Sequence, residues 1–450
     1  MAAPKSQRNP TSILQYYPYS QFRPGQREVL EHIERLWDSF DVALIVCPTA
    51  FGKTPIRRAI AYWAGDSNMI VPTNALLMQE LSEYPDTRKI LKKSEFYKCD
   101  LCYNMDLARV NERGHPVLTV AHGMIAHKLR RNILIVDEGH RLIQTNRDLQ
   151  ALNVWRRKVP YPITTYSREQ FESFLQLNPQ VDGRDKLLSK LVSNNFMVKR
   201  EKAAWRGKDL DRMRIIPMTP DLHPALGARA SKIILLSATL SEEDVRDLGV
   251  ARGKRVIRIE APSPIAPNRR PIVRSYVGGL SYSNMESMAP MLSKRIMDIA
   301  NFHTGRKGLV HVTYGLANVL RKYMRDERVI FHNAGDSKQM FNRWRETTDG
   351  IFMGSGFTEG IDLAGGEYEW QAIAKIPWPS LGDVAIRKRT EESQSWYIWQ
   401  CLREVIQAYG RICRGPMDEG VTYVLDSTFE RLISEGRKHN LLPKYFNEVL

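Results

Sequence analysis

The chain has 450 residues, 43% hydrophobic and 26% charged, a composition suited to a folded protein of two to three domains with separate cores. No apolar run approaches the roughly eighteen residues a membrane helix needs, and the polar start MAAPKSQRNPTS lacks a secretory apolar centre, so a cytoplasmic location is expected. Lys and Arg total 66 against 50 Asp and Glu, and the net charge of +16 favours a polyanionic partner, because Lys and Arg on phosphates release condensed counterions.

The first helical pattern is GQREVLEHIERLWDSF (25–40). Short apolar runs then recur: VALIVCP (42–48), NMIVPT (68–73), VLTVA (117–121), NILIVDE (132–138), KIILLSAT (232–239), KGLVHVT (307–313), GIFMGSG (350–356), WQAIAKIP (370–377) and GVTYVLD (420–426). Continuous runs of this length mark strands buried on both faces. Helical patterns such as GLANVLRKYMRDE (315–327) lie between many of them, as parallel α/β units require. Two groups of strands follow, and we place one domain at 1–240 and another at 271–450. Between them, residues 241–270 read as a linker, with four prolines clustered in RVIRIEAPSPIAPNRRPIVR (255–274). Residues 141–230 break the strand-helix alternation and are rich in Arg, Lys, Trp and Tyr, which points to an inserted subdomain.

After the first strand comes Cys47-Pro48-Thr49-Ala50-Phe51-Gly52-Lys53-Thr54. The phosphate-loop pattern G-x-x-x-x-G-K-[ST] lacks only its first Gly here. Gly52 lets backbone approach a phosphate, Lys53 reaches the β- and γ-phosphates, and Thr54 offers a hydroxyl to Mg²⁺. The segment beyond should open a helix whose N–H groups face the anion, with Pro55 in its first turn. The strand 132–136 leads to Asp137-Glu138-Gly139-His140. Two adjacent carboxylates at the end of a buried strand are costly unless they serve a cation or a water. With a phosphate loop upstream, Asp137 would bind Mg²⁺ and Glu138 would activate the attacking water.

This motif set resembles the superfamily 2 helicases. Asp137-Glu138-Gly139-His140 resembles a DEAH box with Gly in the usual Ala place, and Ser237-Ala238-Thr239 resembles the S-A-T motif. Phe22-Arg23-Pro24-Gly25-Gln26 resembles the upstream glutamine motif, which implies that Gln26 reads adenine. Pro72-Thr73 with Leu77 and Gln79 resembles a strand-contacting motif, which implies that Thr73 touches nucleic acid. Gly354-Ser355-Gly356-Phe357-Thr358-Glu359-Gly360-Ile361-Asp362, Lys375-Ile376-Pro377-Trp378-Pro379-Ser380 and Gln407-Ala408-Tyr409-Gly410-Arg411-Ile412-Cys413-Arg414-Gly415 are similar to motifs of the XPD/DinG branch. The resemblance implies two RecA-like parallel-sheet motor domains in tandem, an arch-like insertion in the first, and an ATP and Mg²⁺ site that includes Ala50, Phe51, Glu359 and Asp362. It also gives catalytic roles to Gln407, Arg411 and Arg414. The two arginines, three apart on an expected helix REVIQAYGRICRG, would share one face and reach a γ-phosphate across the cleft.

The departures matter as much. That branch carries an iron–sulfur cluster held by four cysteines between the phosphate loop and the DEAH box, whereas residues 85–116 offer only Cys99 and Cys102. No cluster is expected, and His115 and His122 are badly spaced for a zinc site with that pair. In the insertion, Trp155, Arg156, Arg157, Trp205 and Arg206 could stack on and neutralise a single strand, or simply pack on the motor domain. The reading is thus an ATP-dependent DNA helicase, moving 5′→3′ as a monomer on single-stranded, forked or branched DNA. A compact member of this kind suits a phage genome. An RNA helicase with the same motor, or a nucleic-acid binder switched by ATP without unwinding, are the rival readings.

Overall fold

The structure is a computed structural model that describes residues 11–91, 99–126, 129, 131–155, 164–179, 195–205, 208–218, 230–250, 253–333, 335–355, 368–413, 415 and 417–450. In chain order the strands are β1 (Val42–Val46), β2 (Ser67–Ile70), β3 (Val117–Thr119), β4 (Ile133–Asp137), β5 (Leu152–Trp155), β6 (Thr164–Ser167), β7 (Asn195–Trp205), β8 (Lys208–Pro217), β9 (Lys232–Ser237) and β10 (Val256–Glu260). The second half adds β11 (Ile272–Gly278), β12 (Gly308–Val312), β13 (Val329–Phe331), β14 (Ile351–Ser355), β15 (Trp370–Ile373) and β16 (Val421–Asp426).

Two parallel six-stranded sheets result, ordered β10-β1-β9-β4-β2-β3 and β11-β16-β15-β12-β14-β13. Each apolar run read from the sequence supplies one of these strands. Both faces of the N-terminal sheet are covered: Val42, Leu44, Leu134 and Leu235 pack on one side, and Ala43, Ile45, Ile135 and Ile234 on the other. The period-2 split of a continuous apolar run is what a doubly covered parallel sheet demands. The helix Gln26–Leu36 buries Val29, Leu30 and Ile33, the inward stripe of its helical period.

One stretch folds differently from expectation, and the inserted stretch has a sheet of its own. The presumed linker 241–270 contains the helix Glu242–Asp247 and the strand β10, which pairs with β1 at the edge of the N-terminal sheet. Within 141–230, strands β5–β8 form an antiparallel sheet of their own, ordered β5-β8-β7-β6. It hangs from the helix Gly139–Gln150, with Arg214 of β8 ion-paired to Asp148.

The halves meet over the helix Gln394–Tyr409. Trp396 and Trp399 donate their indole N–H to Asp247 (3.0 Å) and Asp244 (2.9 Å) of the helix Glu242–Asp247, and Ser395 donates to Glu243 at 2.7 Å. An apolar cluster runs through the junction, joining Leu134 and Leu235 to Trp399, Val405 and Phe429. The C-terminal ends of β1, β4 and β9 thereby face the second domain, the crevice where parallel α/β sheets bind ligands.

Candidate nucleotide site at the domain junction

The loop after β1 turns through left-handed backbone at Ala50 (φ 68°) and Gly52 (φ 79°). Gly52 is required twice over, since a Cβ there would also lie 2.8 Å from Gln26 Nε2. The helix Lys53–Ala64 begins immediately, with Thr54 and Pro55 in its first turn. Gln26 is fully buried and braces this loop: its Nε2 donates to Phe51 O (2.6 Å) and Gly52 O (3.2 Å). Its Oε1 accepts from Arg23 N (2.8 Å) and from the Tyr17 hydroxyl. Arg23 Nη1 donates to Ala50 O at 3.0 Å. Beside the loop, Tyr17, Tyr19, Gln21, Arg23, Gly52 and Pro55 line an open pocket of about 380 Å³. Both ends of the Gln26 amide are thus engaged within the protein, and the glutamine motif shapes the wall of this pocket.

Strand β4 delivers Asp137, and Glu138 follows in left-handed backbone (φ 48°) as the cap of the helix Gly139–Gln150. A Cβ at Gly139 would stand 2.9 Å from Leu235 Cβ, which explains the glycine where the DEAH pattern has alanine. Lys53 Nζ is ion-paired with Glu138 Oε1. Burial disfavours both charges, but their attraction wins: Glu138 and Asp137 raise the Lys53 ammonium, while Lys53 and His140 hold the Glu138 carboxyl down to about 2. Ser237 Oγ donates to Glu138 Oε2 at 2.8 Å, and His140 Nδ1 lies 2.8 Å from the same hydroxyl.

Asp137 is pushed up by burial, against Arg57 and Lys53. Arg57 Nη1 lies 3.4 Å from Asp137 Oδ2, and its Nη2 pairs with the buried Glu80, which also receives Arg58 at 3.1 Å. The sequence reading missed Arg57 and Glu80. The signal was available for Arg57, which lies four residues after Lys53 and so on the same helix face. Among the described residues, no three His, Cys, Asp or Glu side chains gather as a protein-only metal site would require. A nucleotide-bound Mg²⁺ takes one or two protein ligands besides phosphates, and Thr54 with Asp137 fits that demand.

The second domain closes over this half-site. Gln407 Nε2 donates to Thr239 Oγ1 at 2.7 Å, and Thr239 N donates to Ser237 Oγ at 3.2 Å. Lys53, Glu138, Ser237, Thr239 and Gln407 therefore form one polar chain across the junction. Gly410 lies against the phosphate loop so closely that a Cβ would meet Thr49 Oγ1 at 2.6 Å. The expected helix does not run on through Arg411. The helix Gln394–Tyr409 ends before it, with Gly410 N–H donating to Ile406 O (2.9 Å) and Arg411 N–H to Ala408 O (3.1 Å) in a terminal turn. Arg411, next in sequence to Gly410, is nonetheless buried; Arg414, Glu359 and Asp362 lie outside the described residues.

Residues 281–448 match the helicase C-terminal domain family. Among solved structures, S. tokodaii Xpd4 is 13% identical with a TM-score of 0.62, covering 91% of this chain and 97% of its own. The protein has the fold of an XPD-like superfamily 2 helicase. A structure titled XPD helicase (14% identical, TM-score 0.62, 94% of this chain and 99% of that one) and an apo XPD (15%, 0.60, 92% and 98%) agree. No curated protein sequence matches the chain. In this helicase fold the two parallel sheets are the tandem RecA-like domains.

The expected nucleic-acid contacts are spread more widely. Thr73 caps the helix Asn74–Glu83, its hydroxyl accepting from Leu76 N at 3.3 Å. Trp155 ends β5 and Trp205 ends β7; the side chains of both, and all of Arg156, Arg157 and Arg206, lie outside the described residues. In the backbone register Trp205 pairs with Lys208 and Trp155 with Arg212, so both strand ends lie toward one end of the inserted sheet. Cys99 and Cys102 are exposed at the start of the helix Asp100–Asn111, sulfurs 2.9 Å apart. His115 is exposed, and the side chain of His122 lies outside the described residues.

Proposed function

We infer that this protein is an ATP-driven motor that moves along single-stranded DNA, 5′→3′, and opens duplex or branched DNA. The observation that carries the reading is the polar chain from Lys53 through Glu138, Ser237 and Thr239 to Gln407, because it joins a phosphate-binding lysine to the opposite domain. An incoming triphosphate would draw Lys53 from Glu138, freeing that carboxylate to hold and deprotonate water. Mg²⁺ held by Thr54 and Asp137 would neutralise phosphate charge. Ser237 hydrogen-bonds directly to Glu138, so a change at the carboxylate alters the bond that reaches Thr239 and the second domain. Arg411, buried beside Gly410 at the phosphate loop, is the cation nearest in sequence to that contact and is assigned to transition-state charge.

The net charge of +16 supports a polyanionic track. Among the described residues no helix is long and apolar enough to cross a membrane. The test is ATP turnover with single-stranded DNA, with RNA and with neither, in wild type, Lys53→Ala and Glu138→Gln. DNA should stimulate hydrolysis, and each variant should lose about a hundredfold or more in turnover. Hydrolysis indifferent to nucleic acid and to both substitutions would sink the motor reading, and stronger stimulation by RNA would make it an RNA helicase. Duplexes with 5′ or 3′ tails then read the direction.

A further inference from the structure

Tyr445 belongs to none of the motifs above. It lies on the helical turn Lys444–Asn447, where it and Phe446 are buried. Its hydroxyl donates to the main-chain carbonyl of Ala238 at 2.9 Å, across the domain junction. Burial pushes this phenol up, so it remains a neutral donor. Its own carbonyl accepts from Arg270 Nη1 at 2.8 Å, and the same nitrogen donates to the Tyr409 hydroxyl at 2.9 Å. Tyr409 in turn donates to Arg270 O at 3.0 Å, and its ring meets Phe446 edge-on with centroids 5.2 Å apart. One residue earlier, Lys444 N donates to Glu260 Oε2 of β10 at 2.8 Å.

Three consecutive residues therefore grip three parts of the motor. Lys444 holds the edge of the N-terminal sheet, Tyr445 holds Ala238, and Phe446 with Arg270 holds the end of the helix that carries Gln407 and leads to Gly410. Ala238 sits between Ser237, which binds Glu138, and Thr239, which binds Gln407. A ring used for packing alone needs no hydroxyl, whereas removing this one leaves an enclosed carbonyl without that donor.

We propose that Tyr445 is a positioning residue for the ATP site: its hydroxyl fixes Ala238 so that Ser237 and Thr239 face Glu138 and Gln407 together when the domains are closed. The proposal deepens the motor reading and rests on it. It is tested with Tyr445→Phe in the full chain, which keeps the ring and removes one hydrogen bond. Hydrogen exchange of the nucleotide-free protein should quicken about five- to tenfold at 237–241 and 405–413, the effect of one buried hydrogen bond, and remain as in wild type at β12 and β14. The dissociation constant of a fluorescent, non-hydrolysed ATP analogue should rise by a similar factor. Unchanged exchange in both segments would overturn the proposal, as would an equal rise throughout the second sheet, which signals general loosening. If wild type hydrolyses no ATP, the motor reading falls while the exchange measurement still decides whether Tyr445 sets this turn.

Discussion

Ala50 and Glu138 both hold left-handed backbone, at φ 68° and 48°, a conformation that costs an ordinary side chain roughly 1–2 kcal/mol. Both lie at the candidate nucleotide site, where strain of this kind is retained for the direction it gives a group. The glycines beside them are set by space. Gly139→Ala, which restores the usual DEAH-box residue, should destabilise the protein by about 1–3 kcal/mol in denaturant unfolding, because its Cβ would lie 2.9 Å from Leu235 Cβ. Gly410→Ala should leave melting nearly unchanged yet lower ATP turnover about tenfold or more, since the new methyl meets Thr49 Oγ1 and holds the domains apart. Residue types and their order made Lys53, Thr54, Asp137 and Glu138 legible in the sequence. Glu80 and Tyr445 were not, because each gains its meaning from a partner far along the chain: Arg57 for Glu80, Ala238 for Tyr445. Arg411 was placed on a helix because the pattern continues past Tyr409; Gly410 and the approach to the loop end it there.

At the scale of elements, the buried strands were read well because an apolar run leaves few alternatives. Strand β10 was missed because its sequence VIRIE alternates Arg258 and Glu260 with apolar residues at a sheet edge, within a proline-rich stretch. The inserted sheet was missed because its strands, such as NFMVKREKAAW in β7, are charged and follow no regular strand-helix alternation, with, among the described residues, the helix Arg168–Leu177 between β6 and β7 only. Within β12, His311 is buried against Gln371, and burial brings its imidazole down to about 4. The folded state then binds its proton less readily than the unfolded chain, whose histidine titrates near 6.5. Stability is complete above pH ~6.5 and falls as pH drops toward ~4, by about 3 kcal/mol from this group. Unfolding free energies of wild type and His311→Gln over that range should show a shallower slope in the variant.

At the scale of the whole molecule, the net charge of +16 and a site spanning two domains set the dependence on conditions. Affinity for a single-stranded oligonucleotide, followed by fluorescence anisotropy, should fall about a hundredfold from ~50 to ~200 mM salt if some five phosphates are neutralised. An affinity indifferent to salt would contradict a phosphate track. The inserted sheet adds a mechanical consequence. The helix Gly139–Gln150 starts at Glu138 and, at twelve residues, is about 18 Å long, with the β5–β8 sheet fastened to its far end through Asp148 and Arg214. It is a lever with its fulcrum at the Glu138 carboxylate. A tilt of about 10° there, too small to disturb a hydrogen bond, sweeps the far end by about 3 Å, comparable to the rise of one base along a strand.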